Sequence, residues 1–281
     1  MALAHSQRPK AKHRGMTVAN AAPSGTFQNI PVNTLGLREV ASEASMLRVP
    51  TRCSICGLRE ACLTCDLMLA NTGRNEEPIV NDLHVAQGGY LYRTGDQFTA
   101  LYTVRSGFYK TVQTLEAGRE QVTGFHMAGD LLGADGIGSE VHGCDAIALE
   151  DSHVCAIPYS HVMKHGRYKR ELQARLQRAM SGEIVRKHGV MLLLGTRRTE
   201  ERLAAFLLNL SERFAARGYS PTEFILRMTR REIASYLGMN DATVSRHFSK
   251  FRSEGLIDVQ NKHVHILDVA GLRRCLSSKT D

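Results

Sequence analysis

The feature that most constrains the fold of this chain is a change in the spacing of its apolar residues. From about Ile79 to Pro158, short apolar alternations are broken by glycines, and turn signals recur about every 8–12 residues. Segments such as Tyr90–Arg93, Ala100–Val104 and Tyr109–Thr114 alternate as strands do. Short strands at this spacing predict an all-β sandwich or barrel.

Helical spacing replaces the alternation from about Lys169 to Leu194. Residues that recur at steps of three or four form one seam, which is apolar except at Lys187. The seam consists of Leu172, Leu176, Met180, Ile184, Lys187, Met191 and Leu194. A long seam between two domains is typical of a dimerisation helix in a coiled coil. A helix packed on the core of its own domain would show the same spacing and is the alternative.

The chain from residue 196 onward has the pattern of a winged helix-turn-helix. A capping box at Thr229 and Glu232 opens a helix that ends at Gly238. A second helix runs from about Asn240 to Glu254, and two short helices joined by a glycine-containing turn make a helix-turn-helix. The neighbouring predicted elements are a helix over Glu200–Ala216 and two wing strands over Leu256–Val259 and His263–Leu267.

The beginning of the second helix is the candidate base-reading surface. In this motif the recognition helix enters the major groove with its first residues against the base edges. An arginine there can donate two hydrogen bonds to guanine, while Val244 and Phe248 should face inward. The candidate contacts are Asp241, Ala242, Ser245 and Arg246 at bases, and Thr243 and Lys250 at phosphates.

The charge distribution points to an anionic partner. The chain of 281 residues has a formal net charge of +8, and residues 196–281 hold 15 Lys and Arg against 10 Asp and Glu. This distribution predicts duplex DNA as the partner, bound with salt-sensitive affinity. Residues 1–50 hold six Lys and Arg against two Glu and lack periodicity, so they are predicted to form a disordered basic arm. A transit peptide is the alternative for this arm.

Four of the seven cysteines fall within 13 residues, at positions 53, 56, 62 and 65. Cys-x2-Cys spacing lets two thiolates reach one metal centre, and thiolates select zinc, copper(I) or an iron–sulfur cluster. Only five residues separate the two pairs, fewer than is usual in a four-cysteine zinc site. A [4Fe–4S] cluster accommodates three local ligands and a distant fourth. A dithiol switch or ordinary small apolar residues are the alternatives.

Composition excludes several classes of protein. Apolar runs such as Val190–Leu194 are far shorter than the ~20 residues of a membrane span. No apolar leader follows Met1, and an odd number of cysteines is typical of reduced thiols in a cytosol. No nucleophile–base pair or Gly-rich phosphate loop of recognisable spacing appears, so the chain is predicted not to be an enzyme.

Several strings resemble the CRP/FNR superfamily of bacterial transcription regulators, and in particular its oxygen-responsive FNR branch. They are GDLLGADGIGS, ALEDSHVCAIP, RAMSGEI, ERLAAFLLNLSERFAARGYSPTEF, MTRREIASYLG and ATVSRHFSKF. The resemblance covers roughly residues 52–275. It implies an α+β fold with a β-roll (a cyclic-nucleotide-binding-like jelly roll), a long dimerisation helix and a C-terminal winged helix-turn-helix. The predicted domains are the arm at 1–50, a cysteine-rich cluster-binding segment at 51–78, the β-roll at 79–165, the dimerisation helix at 166–195 and the DNA-binding domain at 196–281.

The resemblance also implies a cofactor and its ligands. A [4Fe–4S] cluster would be held by Cys53, Cys56, Cys62 and Cys155, with Cys65 as a substitute ligand and Cys144 and Cys275 structural or incidental. The implied function is an oxygen-sensing, homodimeric regulator in the bacterial cytoplasm that binds palindromic TTGAT-like sites and contacts RNA polymerase. A zinc- or thiol-based sensor of the same fold is the first rival, and an iron–sulfur electron carrier is the second.

Three stretches differ from relatives in ways that affect function. Ala242 stands where FNR proteins have a base-reading Glu, so discrimination at that base pair should relax or shift. In the dimer seam, formed by Met180, Ile184, Lys187 and Met191, a lysine replaces the family's acidic residue. Two positive charges would then repel each other across the two-fold axis in place of two negative charges, unless Lys187 points outward. In the roll, Cys144-Asp145-Ala146 replaces the Arg-Ser pair that holds a cyclic phosphate, so no cyclic nucleotide is expected.

Overall fold

The computed structural model describes residues 80–115, 118–164 and 169–277. The predicted basic arm and the cysteines at 53, 56, 62 and 65 lie outside the described residues. No helix within the described ranges is long and apolar enough to cross a membrane.

The first part of the described chain is a β-roll, as predicted. Its strands form two four-stranded antiparallel sheets, and the turn after the sixth strand continues into a short 3-10 helix over Ala134–Gly136. The first sheet has the order β1-β8-β3-β6 and the second sheet the order β2-β7-β4-β5. The strands are β1 (Asn81–Val85), β2 (Tyr90–Tyr92), β3 (Ala100–Ser106), β4 (Phe108–Thr114), β5 (Glu120–Met127), β6 (Leu131–Leu132), β7 (Asp145–Ala148) and β8 (Ser152–Pro158).

Alternation along the strands sends side chains to both faces of each sheet. In the first sheet, Tyr102 and Val154 point into the core between the sheets, whereas Leu101 and Ile157 lie in a second apolar cluster on the outer face. All four are buried because the outer face is covered as well. This explains why β3 and β8 read as nearly continuous apolar runs.

Helices and a small sheet follow the roll. The long predicted helix is present as α2 (Lys169–Thr196), and its early residue Leu176 is buried against the outer face of the first sheet. That residue therefore packs on its own domain rather than in an open seam. The remaining elements are α1 (Tyr159–Lys164), α3 (Thr199–Ala215), β9 (Glu223–Ile225), α4 (Arg230–Leu237), α5 (Asp241–Ser253), β10 (Ile257–Gln260), β11 (His263–Ile266) and α6 (Val269–Ser277).

The helix-turn-helix forms as its local sequence dictates. The Thr229 side chain accepts from the Glu232 backbone and the Glu232 side chain accepts from the Thr229 backbone, which completes the capping box of α4. Gly238 ends α4 with a left-handed φ of 62°, a conformation that strongly favours glycine. Asn240 caps α5, because its side-chain oxygen accepts a hydrogen bond from the Thr243 amide at 2.7 Å. The two-stranded wing gains a third strand, β9, which pairs with β11 and was absent from the prediction.

Candidate DNA-binding surface and sensor site

One face of α5 is exposed and is the candidate DNA-binding face. Val244 is fully buried and Phe248 is 5% exposed, so these residues face inward as predicted. The candidate base-reading residues Asp241, Ala242, Ser245 and Arg246 are all exposed, and Thr243 is half-buried. The sequence therefore anticipated which face of this helix the protein leaves free.

The guanidinium of Arg246 is oriented along this face. Its Nη2 donates to Thr243 Oγ1 at 3.0 Å, one helical turn earlier. Thr243 is in turn fixed by the Asn240 cap through its backbone amide. The side chain of Arg246, the candidate guanine contact, is therefore oriented before DNA binds, because the Thr243 hydroxyl and the Asn240 cap hold it from the N-terminal side of the helix.

Lys250 lies in this surface but its charge already has partners. Its Nζ is 2.7 and 2.8 Å from the two carboxylate oxygens of Glu200, at the start of α3, and 3.8 Å from Glu254. The hydrogen bond to Glu200 raises the pKa of Lys250. A phosphate would have to compete with Glu200 for this ammonium. The sequence could not show this pair, because its members are 50 residues apart.

The structure adds two residues to the candidate surface that the sequence did not single out. His247 Nε2 lies 2.9 Å from Thr199 Oγ1, which joins α5 to the start of α3, and burial lowers the pKa of His247. The guanidinium carbon of Arg230 lies 3.3 Å from the centre of the Phe248 ring, and burial lowers the pKa of Arg230 to about 10. Arg230 stays charged at neutral pH and stands beside the recognition helix as a candidate phosphate contact.

Cys155 occupies the outer face of the first sheet. It is 3% exposed and clusters with Val80, Leu101 and Leu176. Val80 is the first described residue after the cysteine-rich segment, so the chain enters the roll beside this thiol. The other three predicted cluster ligands lie outside the described residues, and within the described ranges no three His, Cys, Asp or Glu side chains are arranged to hold a metal ion.

The other two described cysteines have different surroundings. Cys144 Sγ donates to Asp135 Oδ2 at 3.6 Å, and burial together with this carboxylate raises the pKa of Cys144 to about 12. Burial also raises the pKa of Cys275. Both thiols are therefore protonated at neutral pH, and a protonated thiol is a poor nucleophile and a poor metal ligand.

The predicted dimer seam on α2 is largely open. Ile184 and Met191 are 52% and 69% exposed, Lys187 is exposed and Met180 is half-buried against the sensor domain. Val185 and Leu192, which were not assigned to the seam, are 67% and 66% exposed. Exposed apolar side chains grouped on one helix are typical of an interaction site.

The interior of the roll is filled with ring side chains. Tyr92 and His142 stack with their ring centres 3.7 Å apart, and the Tyr92 hydroxyl accepts from the Gly133 amide at 3.1 Å. Asp145 accepts from the Thr94 amide at 2.7 Å.

Comparison with known proteins gives two matching domain families. A Crp-like helix-turn-helix domain matches residues 201–275, and a cyclic nucleotide-binding domain matches residues 82–165. The solved structure of FixK2 from Bradyrhizobium japonicum aligns with a TM-score of 0.66 at 25% identity, over 72% of this chain and 100% of that one.

Curated relatives match over most of their length. The transcriptional regulatory protein btr of Bordetella pertussis is 41% identical over 81% of this chain and 94% of that protein. The transcriptional activator protein anr of Pseudomonas aeruginosa is 41% identical over 77% and 88% of the two chains. The fumarate and nitrate reduction regulatory protein of Escherichia coli is 41% identical over 76% and 86%.

A β-roll joined by a long helix to a winged helix-turn-helix with an open recognition face defines a DNA-binding transcription regulator. Its curated relatives are transcription regulators, so the chain is a regulator rather than an enzyme. It belongs to the CRP/FNR family.

Proposed function

We propose that this regulator senses oxygen or redox state through a [4Fe–4S] cluster held by Cys53, Cys56, Cys62 and Cys155. The cluster would control dimerisation and, through it, promoter binding. The observation that carries the proposal is the position of Cys155, which shares one apolar cluster with Val80, the first described residue, and with Leu176 and Met180 of the long helix α2.

The described part of the site suits such a group. Cys155 supplies a thiol in an apolar environment formed by Val80, Leu101 and Leu176, and thiolates are the usual ligands of iron–sulfur clusters. A low-polarity environment of this kind also limits access of water to a bound group. When bound, a [4Fe–4S] cluster would supply an oxygen-labile tie between the N-terminal segment and β8.

The same residues connect that tie to dimerisation. Leu176 and Met180 of α2 belong to the apolar cluster that contains Cys155. A segment tied to Cys155 through the cluster would be held close to the start of α2, and a released segment would not. An effector shifts an equilibrium only through a difference in its interactions with the two states, and this contact provides one. In the dimer, the seam residues Ile184, Lys187 and Met191 would face a second copy.

The dimer would place two α5 helices in successive major grooves of a palindromic site, about one DNA turn apart. Arg246 and Ser245 would read a TTGAT-like half-site, with relaxed discrimination at the pair that Ala242 faces.

Promoter-bound dimers would contact RNA polymerase in the bacterial cytoplasm. The names of the Pseudomonas and Escherichia relatives, an activator and a fumarate and nitrate reduction regulator, favour control of anaerobic genes. We propose no cyclic nucleotide ligand, because the acidic Asp145, whose carboxylate accepts from the Thr94 amide, would repel a cyclic phosphate.

Anaerobic purification tests the cofactor and the switch together. We expect broad visible absorbance, a dimer by analytical ultracentrifugation and specific binding to an inverted TTGAT repeat. Brief exposure to air should abolish all three, while a sample kept anaerobic for the same time serves as the control. A colourless, zinc-containing protein that binds DNA equally well in air would contradict the proposal and favour a zinc site made by the four local cysteines, since zinc has no visible transitions.

Selection of binding sites from random DNA tests the specificity. We expect the guanine facing Arg246 to be retained and its neighbouring pair to be degenerate. The variant Ala242→Glu should restore discrimination at that pair by about 1–3 kcal/mol. A wild-type protein that selects strict TTGAT, with no gain from Ala242→Glu, would show that another residue reads this pair.

A further inference from the structure

Arg213 of α3 and Arg217, two residues after the end of this helix, converge on one buried aspartate of the sensor roll. Asp130 lies in the turn between β5 and β6, and its side chain is 3% exposed. Arg213 Nη2 is 2.5 Å from one carboxylate oxygen and Arg217 Nη2 is 2.7 Å from the other. The same guanidiniums donate to the backbone oxygens of Phe125 and Ala128, at 3.0 and 2.5 Å. We call this set of contacts the Asp130 anchor.

Asp130 is also fixed within its own turn. Its carboxylate accepts from the Met127 amide, and its own amide donates to the Met127 oxygen, both at 2.9 Å. Burial alone would raise the pKa of Asp130, but Arg213, His126 and Arg217 hold it below the ordinary value. The carboxylate is therefore ionised at neutral pH, and its hydrogen bonds to arginine are of the strong, charge-assisted type.

A second contact joins the sensor roll to the helix-turn-helix itself. The Ser235 hydroxyl of α4 accepts from the Val122 amide at 2.9 Å, and the side chain of Gln121 donates to the Ser235 backbone oxygen. Lys110 of β4 pairs with Glu232 at 2.8 Å, and both of these side chains are mostly buried. We call these the α4 contacts.

Aromatic rings fill the space between the anchor and the α4 contacts. The ring centre of Phe125 lies 6.0 Å from that of Phe206 and 5.1 Å from that of Tyr236. Phe125 belongs to β5, whereas the other two belong to α3 and α4. The second sheet therefore holds α3 and α4 by ion pairs, hydrogen bonds and packed rings. Such interiors transmit displacement rather than absorbing it.

A further arginine joins the same helices to the end of α2. Arg202 of α3 donates to the backbone oxygen of Leu194 at 2.7 Å and to that of Leu237, next to the helix-turn-helix turn, at 3.1 Å. The recognition helix α5 follows that turn directly. Its direction is thus set relative to both the roll and the dimerisation helix.

We infer that Asp130 is a positioning residue for DNA binding: by pairing with Arg213 and Arg217 it fixes the recognition helix on the sensor roll, and so fixes the half-site spacing that the dimer accepts. The inference rests on the proposed function, in which a dimer binds a palindromic DNA site. Adding one base pair moves a half-site by about 3.4 Å along and about 35° around the DNA axis. A dimer of rigid protomers cannot follow this change, whereas a dimer with loosened DNA-binding domains can.

The test compares wild type with Asp130→Asn, which keeps the shape of the side chain and removes its charge. The DNA probes are two inverted TTGAT half-sites, about one turn apart, with the spacer unchanged, shortened or lengthened by one base pair. Wild type should lose at least about tenfold in affinity on either change. Asp130→Asn should bind the unchanged spacer severalfold more weakly, and its penalty for an altered spacer should fall to about threefold or less.

The matched control is Arg105→Gln. It removes an ion pair with Asp82, which is 7% exposed, but both partners lie in the first sheet. This variant should keep the full spacing penalty, so a general loss of stability cannot mimic the effect. Small-angle scattering should show a larger maximum dimension for Asp130→Asn and an unchanged one for the control.

Two results would overturn the inference: an undiminished spacing penalty in Asp130→Asn, or no spacing penalty in wild type. If Asp130→Asn does not fold cooperatively, Arg217→Gln and Ser235→Ala weaken the same junction one contact at a time, and an unchanged penalty in both overturns it equally. The proposed redox switch is read separately, as loss of binding in air at a fixed spacer, so either idea can fail alone.

Discussion

The two sheets of the roll have the same number of strands but cover different parts of the protein. The outer face of the first sheet carries Cys155 and packs against the start of α2. The outer face of the second sheet carries Val122 and Phe125 and packs against the DNA-binding domain. Candidate sensing contacts and DNA-domain contacts therefore lie on opposite sides of one core. A signal must pass along α2 or through that core to reach the recognition helix.

The largest expected effect comes from the first sheet. Cys155→Ser removes the distal thiolate, so we expect the anaerobic protein to lose its visible absorbance. Its DNA affinity should fall toward non-specific binding, by about a thousandfold. Anaerobic absorbance and fluorescence anisotropy measure the two effects.

Cys144→Ser is the control for that variant, since its thiol hydrogen bonds to Asp135 inside the roll rather than lying on the outer face. It should retain both absorbance and binding. Unchanged absorbance in the Cys155→Ser protein would contradict the sensing role that we propose for the first sheet.

A pair of core truncations compares the two outer faces directly. Leu101→Ala and Phe125→Ala should each lower the free energy of unfolding by about 3 kcal/mol, because both side chains are buried. Urea denaturation measures this loss. Under conditions where both variants stay folded, Phe125→Ala should weaken DNA binding with dimerisation unchanged, whereas Leu101→Ala should weaken dimerisation first. The opposite pattern would show that the sheets do not divide these tasks.

A smaller effect is expected at the seam. Lys187→Leu removes two like charges that would face each other in the dimer, so the dimer of the air-exposed protein should tighten about two- to fivefold. Sedimentation equilibrium gives the dissociation constant, and Lys187→Arg, which keeps the charge, should match wild type. Identical constants for all three proteins would mean that Lys187 points away from the two-fold axis.

The smallest expected effect is a pH dependence of the folding stability that originates in the second sheet. Burial lowers the pKa of His126, whose Nε2 lies 3.3 Å from Thr111 Oγ1. The unfolded chain takes up this proton near pH 6.5 while the folded chain does not, so stability is full above about 6.5 and declines as the pH falls below it.

Melting temperatures between about pH 5 and 7 should therefore fall less steeply for His126→Gln than for wild type. His153→Gln, at a 45% exposed site on the first sheet, provides the control. Equal slopes for wild type and His126→Gln would exclude a buried, neutral His126.

Local rules were enough to predict the DNA-binding end. The capping box, the left-handed Gly238 and the inward Val244 and Phe248 act over a few residues, so their sequence neighbours determine them. The roll and the long helix followed from the spacing of apolar residues. These features depend on periodicity, which a single sequence displays in full.

Contacts between distant segments could not be predicted. The Lys250–Glu200 pair and the Asp130 anchor join residues 50 or more positions apart, and no local pattern distinguishes a paired arginine from a solvated one. Strand β9 was missed because three residues are too few to show an alternation. The roles assigned to Cys53, Cys56 and Cys62 stay predictions, since those residues lie outside the described ranges.

The Tyr92–His142 stack has a mechanical consequence. The ring of Tyr92, from the second sheet, stacks on His142 at 3.7 Å and also lies 5.8 Å from the ring of Tyr102, from the first sheet, so stacked rings connect the two sheets. A soft or hollow core would let one sheet yield without moving the other, whereas close-packed rings give low compressibility. A displacement of the first sheet would therefore be transmitted to the second sheet with little loss of amplitude.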